Sequence, residues 1–267
     1  MSNYFIAVIL GIVEGVTEFL PISSTGHLIV VNRLVGFTGS FANMFDVIIQ
    51  LGAIVSVVVY FWRRINPFSS KQTKQEKSET WDLWKKTVVA VIPALLIGGT
   101  IGTYVEDALF NPLTVAIALI IGGIIIIIIE NRFQSNTITS ISVLNYKTAF
   151  YIGLIQCLAM IPGTSRSAAT IIGAILLGAS RSVAAEFSFF LAIPTMMAAT
   201  AYSFLKSTVS LSAVEWQLLI IGFVVSFLVA WVVIAAFMNY IRKRDFKPFG
   251  YYRIIFGLVV LYISFMK

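Results

Sequence analysis

Two long apolar stretches of this sequence, residues 4–36 and 147–179, are each interrupted near the middle by a short polar motif. The first motif reads EGVTEFLPISSTGH over residues 14–27, and the second reads PGTSRSAAT over residues 162–170. Each half of an interrupted stretch has about 14–17 residues, fewer than the ~20 that a membrane-crossing helix needs. We therefore predict two helix–loop–helix hairpins that enter a membrane and return to the same side, with the irregular backbone surrounded by protein or water. The alternative is two kinked full spans per region, which gives ten spans in all.

The composition also places the chain in a membrane. It is 58% hydrophobic and 12% charged, with a mean hydropathy of +0.92, which is more apolar than a soluble domain of this length requires. Six further stretches are long and apolar enough to span a bilayer. They are residues 43–62, 84–104, 112–130, 183–205, 215–239 and 249–266. The predicted fold is an all-α polytopic membrane protein with six transmembrane helices plus two re-entrant hairpins.

The two interrupted regions resemble each other in sequence. GIVEGVTEFLPISSTGHLIV at 11–30 parallels GLIQCLAMIPGTSRSAATII at 153–172, with one residue gapped before the proline. This alignment pairs Glu14 with Gln156, Pro21 with Pro162, and Ser24 with Ser165.

Each half of the chain then contains one hairpin and three spans. We predict a single membrane domain, 1–267, in which repeat one covers 1–130 and repeat two covers 147–267. Three crossings per half is an odd number, so the two repeats must have opposite orientations, and sites in such proteins form where the repeats meet.

The net charge of +7 reflects membrane topology and is not a sign of nucleic-acid binding. Cationic side chains cluster in two connections, 63–86 and 240–248, and are scarce elsewhere. Cytoplasmic loops of membrane proteins carry this excess of Lys and Arg, so both connections are predicted to be cytoplasmic. Within the first of them, the polar segment 66–82 is expected to be a mobile loop without chemistry of its own.

The remaining connections define the outer face. Residues 105–111 hold Glu106 and Asp107, and residues 206–214 hold a single Lys206. If both face outward, the first hairpin opens to the outside, the second opens to the inside, and both termini lie outside.

Glu14 and Glu18 in the first motif share one helix face, because they are four residues apart. Two carboxylates in a low dielectric repel each other and require a cation, a shared proton or a basic partner. Hard oxygen ligands suit Mg²⁺ or Ca²⁺, so we predict a divalent cation on this pair. A helix-packing or hydrogen-bonding role for the two glutamates is the alternative.

The rest of the first motif supplies hydroxyls and the single histidine of the chain. Ser23, Ser24, Thr25 and Gly26 follow Pro21, at the start of the next half-helix, where hydroxyls and free backbone N–H groups bind anions.

His27 is three residues beyond Ser24, so the two side chains could meet as base and nucleophile if the loop folds back. Ordinary helix capping by the hydroxyls and a structural hydrogen bond of the histidine are the simpler readings.

The second motif places an arginine among hydroxyls. Arg166 lies between Ser165 and Ser167, with Thr170 one turn later and Gly163 leaving room for close backbone approach. Arginine is permanently charged and binds phosphate through two parallel hydrogen bonds. At membrane depth it requires an anion, which is either Glu14 or Glu18, or a phosphorylated ligand.

Taken together, the two motifs supply carboxylates and a histidine from one half and an arginine from the other. This set suits phosphoryl transfer, in which catalysis is mostly positioning and charge stabilisation. Because the site lies within the membrane, the substrate is expected to carry a lipid tail. The sequence contains no usable nucleotide-binding loop or cysteine pair, which argues against a nucleotide or redox cofactor.

These residues resemble the undecaprenyl-diphosphate phosphatase family, also called UppP or BacA and known for bacitracin resistance. The glutamate motif of the family corresponds to Glu14 and Glu18 with the following SSTGH, and its PGxSRSxxT motif is matched in full by residues 162–170. The length, the spacing of the motifs and the repeat also agree, so the resemblance covers nearly the whole chain. The functional positions that match are Glu14, Glu18, Ser24, His27, Ser165, Arg166 and Thr170.

The resemblance implies hydrolysis of undecaprenyl diphosphate to undecaprenyl phosphate and inorganic phosphate, which recycles the lipid carrier of cell-wall synthesis. It further implies a multi-pass protein of the bacterial plasma membrane that needs a divalent cation and acts at the outer face. Either Ser24 or His27 attacks the terminal phosphorus, or His27 activates water, while Glu18 and Arg166 take part in catalysis. Phosphate contacts are assigned to Ser23, Thr25, Gly163, Ser165, Arg166, Ser167 and Thr170.

Some alternatives stay open at this point. A transporter or flippase for a lipid phosphate would share the inverted repeats and the anion clamp. Asp46 and Glu186 occupy similar places near the ends of their spans and are expected to have supporting roles. The partners are the lipid bilayer and the prenyl substrate, no nucleic acid is expected, and a homodimer is left open.

Overall fold

A computed structural model describes residues 2–132, 137–206 and 211–265 of the chain. The side chains of Thr103, Glu106, Asp107 and Lys206 lie outside this description. The connections 105–111 and 206–214 are predicted to face outward from the charges of Glu106, Asp107 and Lys206, and this orientation stays a prediction.

The described chain is helical throughout, apart from turns and one isolated bridge between Ile138 and Ala179. The helices in order are α1 Asn3–Thr17, α2 Ser24–Val35, α3 Ser40–Tyr60, α4 Trp62–Ile65, α5 Lys74–Leu109, α6 Pro112–Arg132, α7 Tyr146–Gln156, a 3₁₀ turn Cys157–Met160, α8 Arg166–Leu176, α9 Arg181–Lys206, α10 Ala213–Ile241 and α11 Lys247–Phe265.

Six of these helices are long and apolar enough to cross a membrane, counted over the described residues. They are α3, α5, α6, α9, α10 and α11, and each contains most or all of one predicted span. The predictions of an all-α membrane protein and of six spans are therefore confirmed.

The two interrupted regions form pairs of short helices. The helices α1 and α2 have 15 and 12 residues, and α7 and α8 have 11 residues each. None of the four is long enough to cross a bilayer, which needs about 20 residues, so the ten-span alternative is not supported. Each half of the chain thus has two short helices followed by three long ones. The re-entrant placement of the hairpins and the inverted relation of the halves stay predictions.

The expected loop at 66–82 is wrong for its second part, because α5 begins at Lys74. The sequence T-x-x-E at Thr73–Glu76 forms reciprocal hydrogen bonds that start the helix. The backbone N–H of Glu76 donates to Thr73 Oγ1 at 3.2 Å, and the N–H of Thr73 donates to Glu76 Oε2 at 2.7 Å. Such a capping arrangement satisfies N–H groups that the first turn leaves free, so helix extends through the charged segment.

Long helices approach each other closely where glycines face a neighbouring backbone. A Cβ added at Gly11 would lie 2.8 Å from the carbonyl oxygen of Gly222, and one at Gly52 would lie 2.5 Å from that of Phe223. These contacts pack α10 against both α1 and α3. Small residues are the usual means by which membrane helices associate, because lipid supplies no hydrophobic driving force between them.

Polar contacts anchor the end of the second hairpin, where α8 ends and α9 begins. Glu130 at the end of α6 accepts hydrogen bonds from the Arg181 guanidinium and from the backbone N–H of Phe246. The backbone of Ile138 bonds to Gly178 and Ser180 on the far side of α8. These contacts hold the start of α9 next to α6 and the start of α11, and the end of α8 next to the connection that contains Ile138.

We predict that Gly153→Ala destabilises the protein by about 1–3 kcal/mol, as expected for overpacking a tight contact. The new Cβ would lie 1.8 Å from the carbonyl oxygen of Ala90, so α7 and α5 would have to separate. The measurement is the thermal midpoint of the purified protein in detergent. Gly99→Ala on the same α5 is the matched control, because nothing lies within 4 Å of its added Cβ. Equal midpoints for the two variants would contradict the prediction.

Candidate active site

Two serines in an unusual backbone conformation define the site. Ser23 and Ser165 have φ values of 72° and 70°, and they are the non-glycine residues with positive φ among the described residues. Each is the N-cap of the helix that follows, accepting a hydrogen bond from the N–H of Gly26 or Ala168. Residues other than glycine rarely adopt a positive φ, and those that do are concentrated at functional sites.

This geometry corrects the alignment of the repeats by one position. The prediction paired Ser24 with Ser165, but the backbone pairs Ser23 with Ser165, and Ser24 with Arg166 as the first residues of α2 and α8. The second loop has one more residue between its proline and its N-cap, where Gly163 takes a φ of 93°. The pairs Glu14 and Gln156, and Ser23 and Ser165, have the same separation along the chain, so this alignment needs no gap, and the two prolines are offset by one residue.

The first turns of α2 and α8 line the same cavity, which has a volume of about 660 Å³. Glu18, Ser24, Arg166 and the two N-cap serines form part of its wall. Most of the remaining wall comes from α5, the 3₁₀ turn and α9, mainly through small or apolar residues such as Gly98, Met160 and Ala199. A polar end that presents helix N-termini and an apolar remainder suit a ligand with an anionic head and a lipid tail.

A short hydrogen-bonded chain connects the two motifs across this cavity. The Ser24 hydroxyl donates to Glu18 Oε2 at 2.6 Å, and Arg166 Nη2 donates to Glu18 Oε1 at 2.9 Å. The side chains of Glu18 and Arg166 are only 6% and 12% exposed. A hydroxyl, a carboxylate and a guanidinium are thus brought together from segments 148 residues apart.

Further contacts fix the orientation of Arg166. Its Nη1 donates to the carbonyl oxygen of Ser188 at 3.1 Å, and its guanidinium lies over the ring of Phe19, 5.9 Å from the centroid. The Nε–H is buried and has no partner among the described residues. One donor of the guanidinium therefore remains for another acceptor.

Glu14 is fully buried, and no N–H or hydroxyl of the described residues donates to its carboxylate, which lies beside the carboxyl group of Glu18. A carboxylate in such a place requires a proton or a cation, since a bare buried charge is very costly. Over the described residues, no group of three or more His, Cys, Asp or Glu side chains is arranged to hold a metal. Mg²⁺ is commonly held by one or two carboxylates together with substrate phosphates. Glu14 does not line the cavity and both Glu18 oxygens accept hydrogen bonds, so the divalent cation on this pair stays a prediction.

His27 is turned away from Ser24. Its Nδ1 donates to the carbonyl oxygen of Ser23 at 2.7 Å, and its Nε2 lies 2.6 Å from the hydroxyl of Tyr252. The ring also stacks on Phe256 with centroids 4.0 Å apart, and His27 does not line the cavity. The predicted pairing of Ser24 with His27 is not formed, because both ring nitrogens have other partners. The partner of Ser24 is Glu18.

The other predicted phosphate contacts divide into two groups. Thr25, Gly163 and Ser165 line the cavity, whereas Ser167 and Thr170 do not.

Ser167 and Thr170 instead brace the surrounding backbone. The Ser167 hydroxyl donates to the carbonyl oxygen of Leu20 at 2.9 Å, which ties the second motif to the first break. The Thr170 hydroxyl donates to the carbonyl oxygen of Arg166 at 2.9 Å and lies 2.5 Å from Ser188 Oγ. Their geometry supports the site from outside the cavity.

Asp46 and Glu186 both have polar partners. Asp46 accepts a hydrogen bond from Asn32 Nδ2 at 2.9 Å, which joins α3 to α2. Glu186 binds Arg64 through both carboxylate oxygens, at 2.7 and 2.8 Å.

Sequence reasoning missed several polar residues of this region. Gln50 and Thr195 line the cavity, and neither stands out in sequence because each is a single neutral residue within a span. Gln156 donates to Thr195 Oγ1 at 3.3 Å and was singled out only as the partner of Glu14 in the repeat. Arg253 carried a signal that was overlooked, since a charged residue inside an apolar span is a functional candidate by default.

Comparison with known proteins finds similarity over nearly the whole chain. The family described as "Bacitracin resistance protein BacA" matches residues 7–259 of the chain. Undecaprenyl-diphosphatase 1 of Clostridioides difficile (strain 630) is 52% identical, with 100% of this chain and 98% of the relative covered. Proteins named undecaprenyl-diphosphatase from Limosilactobacillus fermentum and Enterococcus faecalis are 51% and 48% identical, each with 96% of this chain and 95% of the relative covered.

We predict that Glu18 and Arg166 are energetically coupled. Glu18→Gln alone should destabilise the protein by about 3–5 kcal/mol, because it leaves a buried guanidinium without its anion. The double variant Glu18→Gln/Arg166→Gln should recover part of this loss, since it leaves no unpaired charge. The measurement is the set of thermal midpoints of wild type, both single variants and the double variant in one detergent. Losses that simply add would show that the ion pair is not coupled.

Proposed function

We propose that this chain, which belongs to the bacitracin resistance protein BacA family, hydrolyses undecaprenyl diphosphate to undecaprenyl phosphate and inorganic phosphate. It is a membrane hydrolase acting on a phosphoric anhydride, and its product is the lipid carrier of cell-wall synthesis. The observation that carries the proposal is the chain of Ser24, Glu18 and Arg166 on one cavity wall. Binding alone, as in a lipid transporter, does not require a hydroxyl hydrogen-bonded to a buried carboxylate.

In the proposed reaction, Ser24 is the nucleophile and Glu18 is the base. The Ser24 oxygen attacks the terminal phosphorus, its proton passes to Glu18, and the bond to the bridging oxygen breaks so that undecaprenyl phosphate leaves. Water then attacks the phosphoserine, Glu18 returns its proton to the departing Ser24 oxygen, and the inorganic phosphate that is released carries the proton of the attacking water. The 2.6 Å hydrogen bond from Ser24 to Glu18 supports this assignment, because a nucleophile and its base must lie within hydrogen-bond reach.

Arg166 and the two helix N-termini are proposed to bind the diphosphate. The unpartnered Nε–H of Arg166 provides a donor, and free N–H groups in the first turns of α2 and α8 add others. Donors fixed in position before the reaction stabilise the charge of the transferred phosphoryl group without reorganising. Thr25, Gly163 and Ser165 lie in the same wall and complete this anion site.

A divalent cation, Mg²⁺ or Ca²⁺, is proposed to bind Glu14 and Glu18. The support for it is the buried Glu14 carboxylate, to which no N–H or hydroxyl of the described residues donates. When bound, such an ion neutralises phosphate charge and orients the substrate. Glu18 keeps its contacts to Ser24 and Arg166, so Glu14 would be the main protein ligand.

The prenyl chain is proposed to lie along the apolar part of the cavity between α5 and α9. Leu95, Gly98, Met196 and Ala199 are among the residues of that wall. A cavity of about 660 Å³ holds the head group and the first part of the chain, and the rest extends along the exposed apolar faces of the spans.

The proposed location is the bacterial plasma membrane, with the active site open to the outer face. The support for this orientation is the charge asymmetry of the connections, since basic residues gather at 63–86 and 240–248. A homodimer stays a proposal.

We predict that the purified wild type in detergent releases phosphate from a long-chain prenyl diphosphate and that Arg166→Ala and Ser24→Ala lower this rate at least about 100-fold. The physical reasons are loss of the anion clamp and loss of the nucleophile. Release measured with Mg²⁺ and with a chelator tests the cation. Arg64→Ala is the matched control, because this arginine pairs with Glu186 away from the cavity.

Two outcomes would overturn parts of this proposal. Substrate binding without release by well-folded wild type would favour a lipid transporter. Full activity of Ser24→Ala would exclude the covalent serine mechanism and return the reaction to water or His27.

We predict that His27→Asn keeps more activity than His27→Ala. His27 Nδ1 holds the carbonyl oxygen of Ser23, the residue that precedes the nucleophile, and an Asn side-chain amide can donate to the same oxygen. If His27 acts mainly by holding the loop, turnover should fall by about tenfold or more in the alanine variant and clearly less in the asparagine variant. Equal loss in both variants would instead indicate that the imidazole itself transfers a proton or a phosphoryl group.

A further inference from the structure

Arg253 in α11 is a buried cation that the proposed reaction does not use. Its side chain is fully buried, and it takes part in no ion pair within the described ranges. It does not line the active-site cavity. A guanidinium in such a place is costly unless its donors are hydrogen-bonded, so its partners indicate its role.

The partners of Arg253 are four backbone carbonyl oxygens from three segments. Nη1 donates to Pro21 at 3.2 Å, and Nη2 donates to Gly163 at 3.0 Å. Nε and Nη2 also donate to Leu119 and Ala118 of α6, at 3.3 and 3.1 Å. One side chain therefore bonds both interrupted loops and anchors them to a single long helix.

The two loop carbonyls lie immediately beside the reactive groups. Pro21 is three residues before Ser24, and Gly163 is three residues before Arg166. The neighbouring Tyr252 reaches the same first loop through His27, which binds the Ser23 carbonyl. The start of α11 thus contacts the backbone on both sides of the site.

The α6 helix leaves room for this side chain by having glycines opposite it. A Cβ added at Gly122 would lie 2.4 Å from Arg253 Nη2 and 2.9 Å from its Cζ. Gly123 similarly faces the backbone of Gly250, with a Cβ-to-oxygen distance of 2.6 Å. The guanidinium is enclosed and cannot move without displacing its neighbours.

We propose that Arg253 is a positioning residue for the phosphatase reaction. It holds the two loops at a fixed separation, so that Ser24 and Glu18 from the first motif meet Arg166 from the second. It acts through the Pro21 and Gly163 carbonyls and does not touch the substrate. The expected effect of Arg253 on kcat rests on the proposed function, whereas its role in holding the two loops rests on the loop contacts alone.

The test uses Arg253→Met and Arg253→Lys in the full-length protein. Two quantities are measured below the thermal midpoints of all variants: turnover with a long-chain prenyl diphosphate, and hydrogen–deuterium exchange of residues 18–24 and 161–166 followed by mass spectrometry. Arg253→Met is expected to lower kcat about 10–100-fold with a smaller change in KM, because a displaced group loses near-attack geometry. Exchange should rise in both loops and not in the long helices.

Arg253→Lys is expected to be intermediate in both measurements, because it keeps the charge but cannot reach four carbonyls at once. A generic loss of stability would not follow the number of donors in this way.

Gly122→Ala is a second variant, which displaces the guanidinium without replacing the Arg253 residue itself. Its matched control is Gly257→Ala, whose Cβ would lie 2.7 Å from Ile120 Cγ1 and 2.9 Å from the Ala116 carbonyl oxygen. Both changes strain the packing of α6 against α11, but only Gly122→Ala meets Arg253. We expect loop exchange to rise and kcat to fall in Gly122→Ala, and neither to change comparably in Gly257→Ala.

Three results would overturn the proposal. The first is that Arg253→Met has the kcat and the loop exchange of the wild type. The second is that Gly122→Ala and Gly257→Ala change kcat and loop exchange equally. The third is that exchange rises in only one of the two loops in Arg253→Met. If Arg253→Met does not fold, Arg253→Lys and Gly122→Ala decide the question. If the wild type releases no phosphate, the proposed function fails, and the exchange measurement still decides whether Arg253 holds the loops.

Discussion

The site depends on hydrogen bonds to backbone that the two interrupted helices leave unpaired. Buried backbone groups need hydrogen-bond partners, and where water does not reach them, protein must supply these partners. Arg253 donates hydrogen bonds to the Pro21 and Gly163 carbonyl oxygens, and Ser167 donates one to the Leu20 carbonyl oxygen. The N-cap serine side chains accept hydrogen bonds from N–H groups of the helices that follow. The first residues of α2 and α8 line the cavity, and the N–H groups that a helix leaves free in its first turn can bind an anion.

Charge is arranged so that the site is incomplete without a ligand. Glu18 and Arg166 neutralise each other, whereas no N–H or hydroxyl of the described residues donates to the carboxylate of Glu14. An anionic diphosphate together with a divalent cation would supply charges of both signs. This is a physical reason for expecting the substrate and the metal to bind together.

Rigid packing around the loops gives this arrangement its precision. Glycines let α10 approach α1 and α3, and let α6 approach α11, to distances that a methyl group would prevent. The loops are therefore placed by helices that cannot easily shift. By contrast, α5 and α9 line the apolar part of the cavity and each contains a proline within the helix, Pro93 and Pro194. The frame on one side is tightly packed, and the wall proposed for the lipid is less regular.

The sequence alone determined the class of the protein, the number of spans and the position of both breaks, because hydrophobicity and the Pro/Ser/Gly interruptions are local properties of the chain. It also indicated which residue types could carry the chemistry, since Glu18, Ser24 and Arg166 stand out as polar groups within apolar sequence. It did not determine which of these residues contact each other. That Ser24 meets Glu18 and not His27, that Ser23 is the structural equivalent of Ser165, and that Arg253 joins both loops were decided by tertiary structure. These contacts join residues between 6 and 232 positions apart, so they depend on how the loops fold and how the helices pack, which no local pattern encodes.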